Sequence, residues 1–384
     1  MKLSPRDRVY QALSHSEPDR IPTALGGGPY GLVDEVYFKL LETLHLGEPV
    51  EPFRTGHNIS YMDDRLLEKL GTDLRYVYPG LLPNSPFSPG QTPDTYIDSY
   101  GQVWNYSKPY YFVSKGILSE LDPSQDLSPY LQLPNPLDPK WMSGVAKRAK
   151  FLHNETDYFV AMRMVASHGP FQTACDFRGT TNFMMDLANH RDFAQALLDQ
   201  ITDFLTKLLT QAMLAGGKYF DMIELPGDDY ASNTNTLISP RMFKNHIKPC
   251  LEKMVNAIRT IKPDMVIMLH SDGLITSLLD EIIDLGVDVI HPLEPLPALD
   301  YHQIKDRYGK RISFLGGIDI SHALPGKKED VIHETMTRMA QLGPGGGYIL
   351  APSNHIQSDV PPENILTLFQ YAHQFGKYPL EISR

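Results

Sequence analysis

The sequence predicts an α/β chain built as a (β/α)8 TIM barrel, with an N-terminal elaboration and a cap segment. Three observations predict it. From Tyr158 onward, short apolar runs alternate with helix-length stretches, the rhythm of parallel strands joined by right-handed crossovers. About eight such units in one chain favour closure into a barrel. No phosphate-cradling G-x-G-x-x-G follows a first strand, because Gly26-Gly27-Gly28 and Gly345-Gly346-Gly347 both fail that spacing.

Taken in order, Val9 and Leu13 predict a short amphipathic helix from Ser4 to His15, with Ser4 as N-cap and Pro5 at its first position. Asp19 to Leu25 reads as a strand running into the three glycines. Val33 to Leu70 reads as helices with a connecting loop, and Asp73 to Tyr78 as another strand. Between Pro79 and Pro139 the texture changes to Pro, Ser and Tyr, with Gly101–Tyr106 as a hairpin arm. This segment, 79–139, is expected to be a cap or insertion within one barrel domain spanning residues 1–384. Its aromatic residues (Tyr96, Tyr100, Trp104, Tyr106, Tyr110, Tyr111, Phe112) could line an apolar pocket, although packing of the cap itself is the plainer expectation.

Strands are then expected at Tyr158–Val165, Tyr219–Leu225, Asp264–Leu269, Asp288–Ile290, Arg311–Leu315 and Tyr348–Leu350. Helices are expected at Asp192–Ala215, Pro240–Ile261, Thr276–Leu285, Tyr301–Tyr308, Asp330–Leu342 and Pro362–Phe375.

Composition narrows the function classes. At 384 residues, 42% hydrophobic and 21% charged, the chain can bury a large core. A formal net charge of -11 without any Lys/Arg cluster argues against a nucleic-acid surface; Lys327-Lys328 is followed at once by Glu329-Asp330. The two cysteines, Cys175 and Cys250, are far apart and form neither a disulfide framework nor a thiolate metal pair. The opening residues lack the apolar core of a signal peptide and no run reaches membrane-spanning length, so a cytoplasmic location is expected.

The chemistry is expected where apolar runs end in polar groups, because barrel loops converge at the C-terminal ends of the strands. The strand ending near Ile223 delivers Glu224, then Asp228 and Asp229. The next delivers His270 and Asp272, the following one His291 and Glu294, and then Asp319. The last delivers Asn354, His355 and Gln357. Imidazoles and carboxylates gathered at one mouth can hold a divalent metal or work as general acid and base. The His270-Ser271-Asp272 spacing puts both side chains on one face of an extended segment, which makes joint ligation feasible. Plainer readings exist: Asp272-Gly273 is also an ordinary turn before a helix, and Asp228-Asp229 could cap a turn. His270, with polar neighbours at a strand tip, is the strongest single candidate.

Several runs carry a resemblance. They are Gly227-Asp228-Asp229, Leu237-Ile238-Ser239-Pro240-Arg241-Met242-Phe243, His270-Ser271-Asp272-Gly273, Phe314-Leu315-Gly316-Gly317-Ile318-Asp319 and Gly343-Pro344-Gly345-Gly346-Gly347. Asn354-His355-Ile356-Gln357 and Pro18-Asp19-Arg20-Ile21-Pro22 add to it. Together they resemble the uroporphyrinogen decarboxylase superfamily over nearly the whole chain, which implies a (β/α)8 barrel. True decarboxylases of that superfamily carry an Arg-Gln-Ala-Gly-Arg-Tyr segment for the tetrapyrrole carboxylates. Here Ile21 to Tyr30 contains no arginine, which speaks against porphyrinogen decarboxylation.

The resemblance therefore points to the corrinoid-dependent methyltransferase branch. Its thiol-methylating members hold zinc with a His-X-Cys pair and a later Cys; here His270 matches the histidine. Asp272 and the Ser353–His355 stretch stand where the cysteines would be. An oxygen and nitrogen ligand set suits an ether or alcohol oxygen, as in O-demethylases that deliver methyl groups to cob(I)alamin. The candidates are then Asp229, His270 and His355 as catalytic groups. Glu224, His270, Asp272 and His355 are candidate zinc ligands, and Asp228, Asn354 and Gln357 candidate substrate contacts. The implied partners are a small methoxylated substrate and a separate corrinoid protein carrying the cobalamin, and the chain could pair as a homodimer. No Asp-X-His-X-X-Gly segment of the kind that carries corrinoid is present. The alternatives are a metal-independent decarboxylase or lyase, and a non-catalytic ligand-binding barrel.

Overall fold

The computed structural model describes residues 2–50, 58–80, 88–89, 94–98, 100–107 and 110–381. Its strands are β1 (Leu74–Val77), β2 (Ser88–Pro89), β3 (Thr95–Ile97), β4 (Val103–Ser107), β5 (Tyr110–Lys115) and β6 (Phe159–Met162). They continue with β7 (Met222–Glu224), β8 (Val266–His270), β9 (Val289–His291), β10 (Ser313–Ile318) and β11 (Tyr348–Pro352). β1 and β6 to β11 form one curled, parallel, seven-stranded sheet in which chain order is spatial order. Almost every residue of these seven strands is buried. That is what a parallel sheet covered by crossover helices requires, and it explains why the strands read as continuous apolar runs.

The closed eight-stranded barrel expected from the sequence is not formed: the sheet is a half-barrel of seven strands. The stretch expected as a strand, Asp19–Leu25, makes only isolated one-residue bridges, Thr23 parallel with Leu350 of β11 and Arg20 antiparallel with Lys377. The Ala24 N–H donates to Leu350 O (2.9 Å), and the Leu350 N–H donates to Pro22 O (2.9 Å). On its other side, the Asp73 N–H donates to Thr23 O (2.8 Å). Pro22 has no N–H to extend a ladder, and the glycines beginning at Gly26 turn the chain away.

β2 to β5 form a separate antiparallel sheet, of which β4 contains most of the expected hairpin arm. Residues 81–87, 90–93, 99 and 108–109 of the segment expected as a cap lie outside the described residues, as does the Tyr110 side chain. So does part of the loop expected after Val33, residues 51–57. The antiparallel sheet is tied to the main fold just past β5. The Leu118 N–H donates to Phe177 O (2.8 Å), and Arg178 Nη1 donates to the carbonyls of Leu118 (2.7 Å) and Leu121 (2.6 Å). Its anchor is thus the helix Pro170–Arg178, which follows β6.

The expected helices occur at Pro5–Leu13, Arg191–Gly216, Tyr301–Tyr308, Lys328–Leu342 and Pro362–Phe375. Ser4 caps the first, its side chain accepting from the Asp7 N–H (3.1 Å). The helix expected over Pro240–Ile261 is interrupted by a π-helical turn at Phe243–Ile247 before it resumes at Lys248. Pro249 accounts for this: it offers no N–H, and its ring would crowd the carbonyl four residues back in an unbroken α-helix. The helices Val145–Glu155, Pro170–Arg178 and Thr180–Asn189 were not expected. Among the described residues, no helix is long and apolar enough to cross a membrane.

His373, on the last helix, lies 3.3 Å from Thr23 Oγ1, beside the irregular segment that flanks β11. Burial, reinforced by the charge of Arg20, brings its imidazole down to about 4. The unfolded chain then binds a proton that the folded chain refuses between pH ~6.5 and ~4. Acidification through that window therefore destabilises the fold, by up to about 3 kcal/mol. Thermal unfolding between pH 7 and 4 should fall less steeply for His373→Gln than for the wild type; identical slopes would contradict this.

Candidate functional site

The parallel ladder does the first part of the assembly. β8 and β9 pair in register so that His270 lies beside His291, each the last residue of its strand. Their rings sit 5.0 Å apart, with Nδ1 of one 2.8 Å from Nδ1 of the other. His291 is fully buried, and its Nε2 lies 3.2 Å from Pro352 O at the end of β11.

This network assigns both tautomers. A carbonyl only accepts, so His291 Nε2 carries the proton and donates to Pro352. Burial first, and His270 second, holds the His291 imidazole well below its ordinary value, so the ring is neutral and its Nδ1 is a bare acceptor. His270 must then donate through Nδ1. Burial lowers His270 too, and the His168 charge adds to this while Asp229 opposes it. His270 is therefore neutral, with an unprotonated Nε2.

That bare nitrogen faces two carboxylates. His270 Nε2 is 3.8 Å from Asp229 Oδ1 and 3.8 Å from Asp272 Oδ2. Asp229 is fixed by the Asp272 N–H, which donates to its Oδ1 (2.9 Å). Asp272 is fixed by Asn354, whose Nδ2 donates to its Oδ2 (2.5 Å), while its buried Oδ1 has no hydrogen-bond partner. Burial, then the charges of Asp229 and Glu294, push the Asp272 carboxyl well above the usual carboxylate range. Among the described residues, Asp229, His270 and Asp272 are the one group of three or more His, Cys, Asp or Glu side chains with ligand atoms all within 4.8 Å. The lone pair and the two carboxylates repel one another unless a positive charge sits among them; Asp272 takes up a proton readily for this reason, and a cation would serve in its place. The orphaned Asp272 oxygen fits a cation as well.

Glu224 and His355 stand outside this group. Glu224, the last residue of β7, is fully buried. It accepts from the Gly28 N–H (2.7 Å) and the Tyr30 hydroxyl (2.8 Å). Burial raises its carboxyl, and those hydrogen bonds with the charge of Arg163 pull it part of the way back. Gly28 is a glycine for this reason: a Cβ there would lie 2.8 Å from Glu224 Oε2. His355 accepts from the Gly31 N–H through Nδ1 (3.0 Å).

The three expected substrate contacts sit differently. Asp228 is buried and accepts from the N–H groups of Phe171 (3.1 Å) and Gln172 (2.7 Å) and from the Tyr230 hydroxyl (3.0 Å). Burial pushes its carboxyl up to about 7 against those bonds. Asn354 bonds Asp272, as above, and its Oδ1 accepts from the His355 N–H (2.6 Å). Gln357 Nε2 donates to His355 O (2.6 Å).

Sequence reasoning assigned no role to three neighbours. His291 was visible at a strand tip, but its partnership with His270 depends on register. Arg163, just past β6, is 4% exposed; Nη2 donates to Gly28 O (3.2 Å), and Nη1 has no hydrogen-bond partner. It fell inside the apolar run Tyr158–Val165. His168, further along the same loop, has Nδ1 2.7 Å from Asp176 Oδ2.

Comparison with known proteins bears on this geometry. A family model described as uroporphyrinogen decarboxylase (URO-D) matches residues 122–375. A uroporphyrinogen decarboxylase of Legionella pneumophila is 22% identical over 265 residues, covering 66% of this chain and 70% of that protein. A chloroplastic uroporphyrinogen decarboxylase of Arabidopsis thaliana is 28% identical over 142 residues, 36% of this chain and 34% of that one. Among solved structures, a methyltransferase from Methanosarcina mazei superposes with a TM-score of 0.66 at 19% identity, covering 97% of this chain and 99% of the other. That last likeness is one of fold.

Proposed function

Because the chain belongs to the uroporphyrinogen decarboxylase family, we propose that it is a methyltransferase of that family. It moves a methyl group from a small O-methylated substrate to the cob(I)alamin of a partner corrinoid protein. The observation that carries this reading is the bare Nε2 of His270 held 3.8 Å from both Asp229 and Asp272. Porphyrinogen decarboxylation would need cationic partners for many carboxylates, and Ile21 to Tyr30 offers no arginine for them.

Asp229, His270 and Asp272 are the residues that would hold a divalent ion such as zinc. When bound, such an ion supplies Lewis acidity to an ether or alcohol oxygen. The protein's own groups do the rest. His291 fixes the His270 tautomer and ring orientation through Pro352, the outer-sphere support that metal-binding histidines usually have. Asn354 holds Asp272 in place, and Glu224 secures the Gly28–Tyr30 turn beneath the mouth. His355 orders the same turn through Gly31. The segment 79–139 serves as a cap, a role supported by its anchorage to the helix that follows the His168 loop.

A metal-independent decarboxylase or lyase is the second reading. Arg163 favours it, since its buried Nη1 without a partner could meet a substrate carboxylate.

Metal analysis separates the two. Protein purified from zinc-supplemented medium should hold about one equivalent of divalent metal per chain, and His270→Ala and Asp272→Ala should lose it while staying folded. A folded wild type without stoichiometric metal would leave only acid–base chemistry for these side chains. A screen of methoxylated compounds, reading out the demethylated alcohol or phenol, tests the activity itself.

A further inference from the structure

His168 lies on the loop between β6 and the helix Pro170–Arg178, outside every group named so far as ligand or ligand support. Its position is well determined. Its residue bridges Gly227, and the neighbouring Gly169 N–H donates to Gly227 O (2.7 Å), two residues before Asp229. The His168 carbonyl accepts from Thr173 Oγ1 (3.3 Å). The ring is held through Nδ1 by Asp176 Oδ2 (2.7 Å), and Asp176 is itself held by Gln172 Nε2, which donates to Oδ1 (3.0 Å). Both Asp176 and Gln172 come from the helix Pro170–Arg178, so a rigid element carries the support.

Three features distinguish this dyad from a surface ion pair. Asp176 is only 15% exposed while the His168 side chain is 40% exposed, so the carboxylate is the inner partner and the imidazole the outer one. With Nδ1 occupied, Nε2 is the nitrogen left to meet solvent or substrate. The charged groups of the mouth that interact electrostatically with the ring are Asp228 and Asp229 from the loop after β7, and His270 from β8. Burial alone would lower the imidazole, but Asp176, by charge and hydrogen bond, with Asp228 and Asp229 behind it, raises it overall.

Resting on the methyl-transfer reading, we infer that His168, positioned by Asp176, is the acid that protonates the departing oxygen of the substrate. The methyl carbon–oxygen bond breaks with its electron pair staying on oxygen, while the electron pair of cob(I)alamin forms the new cobalt–carbon bond. The His168 Nε2 proton passes to that oxygen, which leaves as a neutral alcohol or phenol, or as water when methanol is the donor. The imidazole is left neutral, Asp176 keeps its charge throughout, and solvent reprotonates the exposed ring.

An acid of this kind has a signature that a structural role lacks: its loss matters in proportion to how badly the leaving oxygen needs a proton. The test compares wild type, His168→Gln and Asp176→Asn with methanol, methoxybenzene and 4-cyano-methoxybenzene as donors, against a cob(I)alamin protein. His168→Gln should lose roughly 10²–10³-fold with methoxybenzene and methanol but only a fewfold with the cyano compound, whose phenoxide departs without help. Asp176→Asn should show the same pattern at smaller amplitude, and it keeps the test available should His168→Gln not fold. It should also lower the His168 titration midpoint followed by NMR. Equal losses across the three donors, or none, would overturn the assignment to His168 while leaving methyl transfer standing. A wild type that transfers from no donor would overturn both.

Discussion

Replacing His270 by alanine is expected to reduce methyl transfer by roughly 10²–10⁴-fold, with a much smaller change in substrate affinity. The side chain supplies the unprotonated nitrogen at the centre of the Asp229–Asp272 pair, so its role belongs to the reacting complex more than to binding. Asp229→Asn should act in the same direction. His291→Phe should produce part of the His270→Ala loss without touching the triad, because it frees the His270 ring and its tautomer. Single-turnover kinetics with His270→Ala check the first expectation. A variant as fast as the wild type would remove His270 from the chemistry.

Asp73→Ala is expected to be the most damaging structural substitution near the gap in the sheet, costing about 3–5 kcal/mol. The buried Asp73 carboxylate accepts from Arg8 Nη1 (2.6 Å) and Arg20 Nη2 (2.9 Å) on one oxygen. Its other oxygen accepts from Arg20 Nη1 (2.8 Å) and the Thr23 N–H (2.8 Å). Removing it leaves the 3%-exposed Arg8 with only the Asp19 carboxylate and the Leu3 carbonyl, and frees the segment that flanks β11. Urea unfolding should show the loss as a lowered midpoint. A change below about 1 kcal/mol would mean that the segment is held by something else.

Local pattern carried the reading of His270 and Asp272: an apolar run that ends abruptly in polar residues marks a buried strand and its tip. The same rule found Glu224 and His291. What the pattern could not reach was pairing between strands. That His291 orders His270 follows from the β8–β9 register, and that Asp229 joins the group depends on how the loop after β7 folds back toward Asp272. His168 and Arg163 escaped for the opposite reasons: one lies too far past its strand, the other inside an apolar run. The eighth strand was expected from the apolar residues around Ile21, yet Pro22 and the following glycines limit its pairing with β11 to a single bridge. Backbone hydrogen bonding overrode hydropathy there. The π-turn before Pro249 is a smaller case of the same effect.

The most direct test is spectroscopic. A corrinoid protein reduced to the cob(I) state is mixed with this protein and a methoxylated donor, and the cobalt absorption is followed. Conversion to methylcob(III)alamin, dependent on donor and abolished in His270→Ala, is the predicted result. No conversion with any methyl donor, together with carbon dioxide release from a carboxylate substrate, would contradict methyl transfer and assign the mouth to decarboxylation.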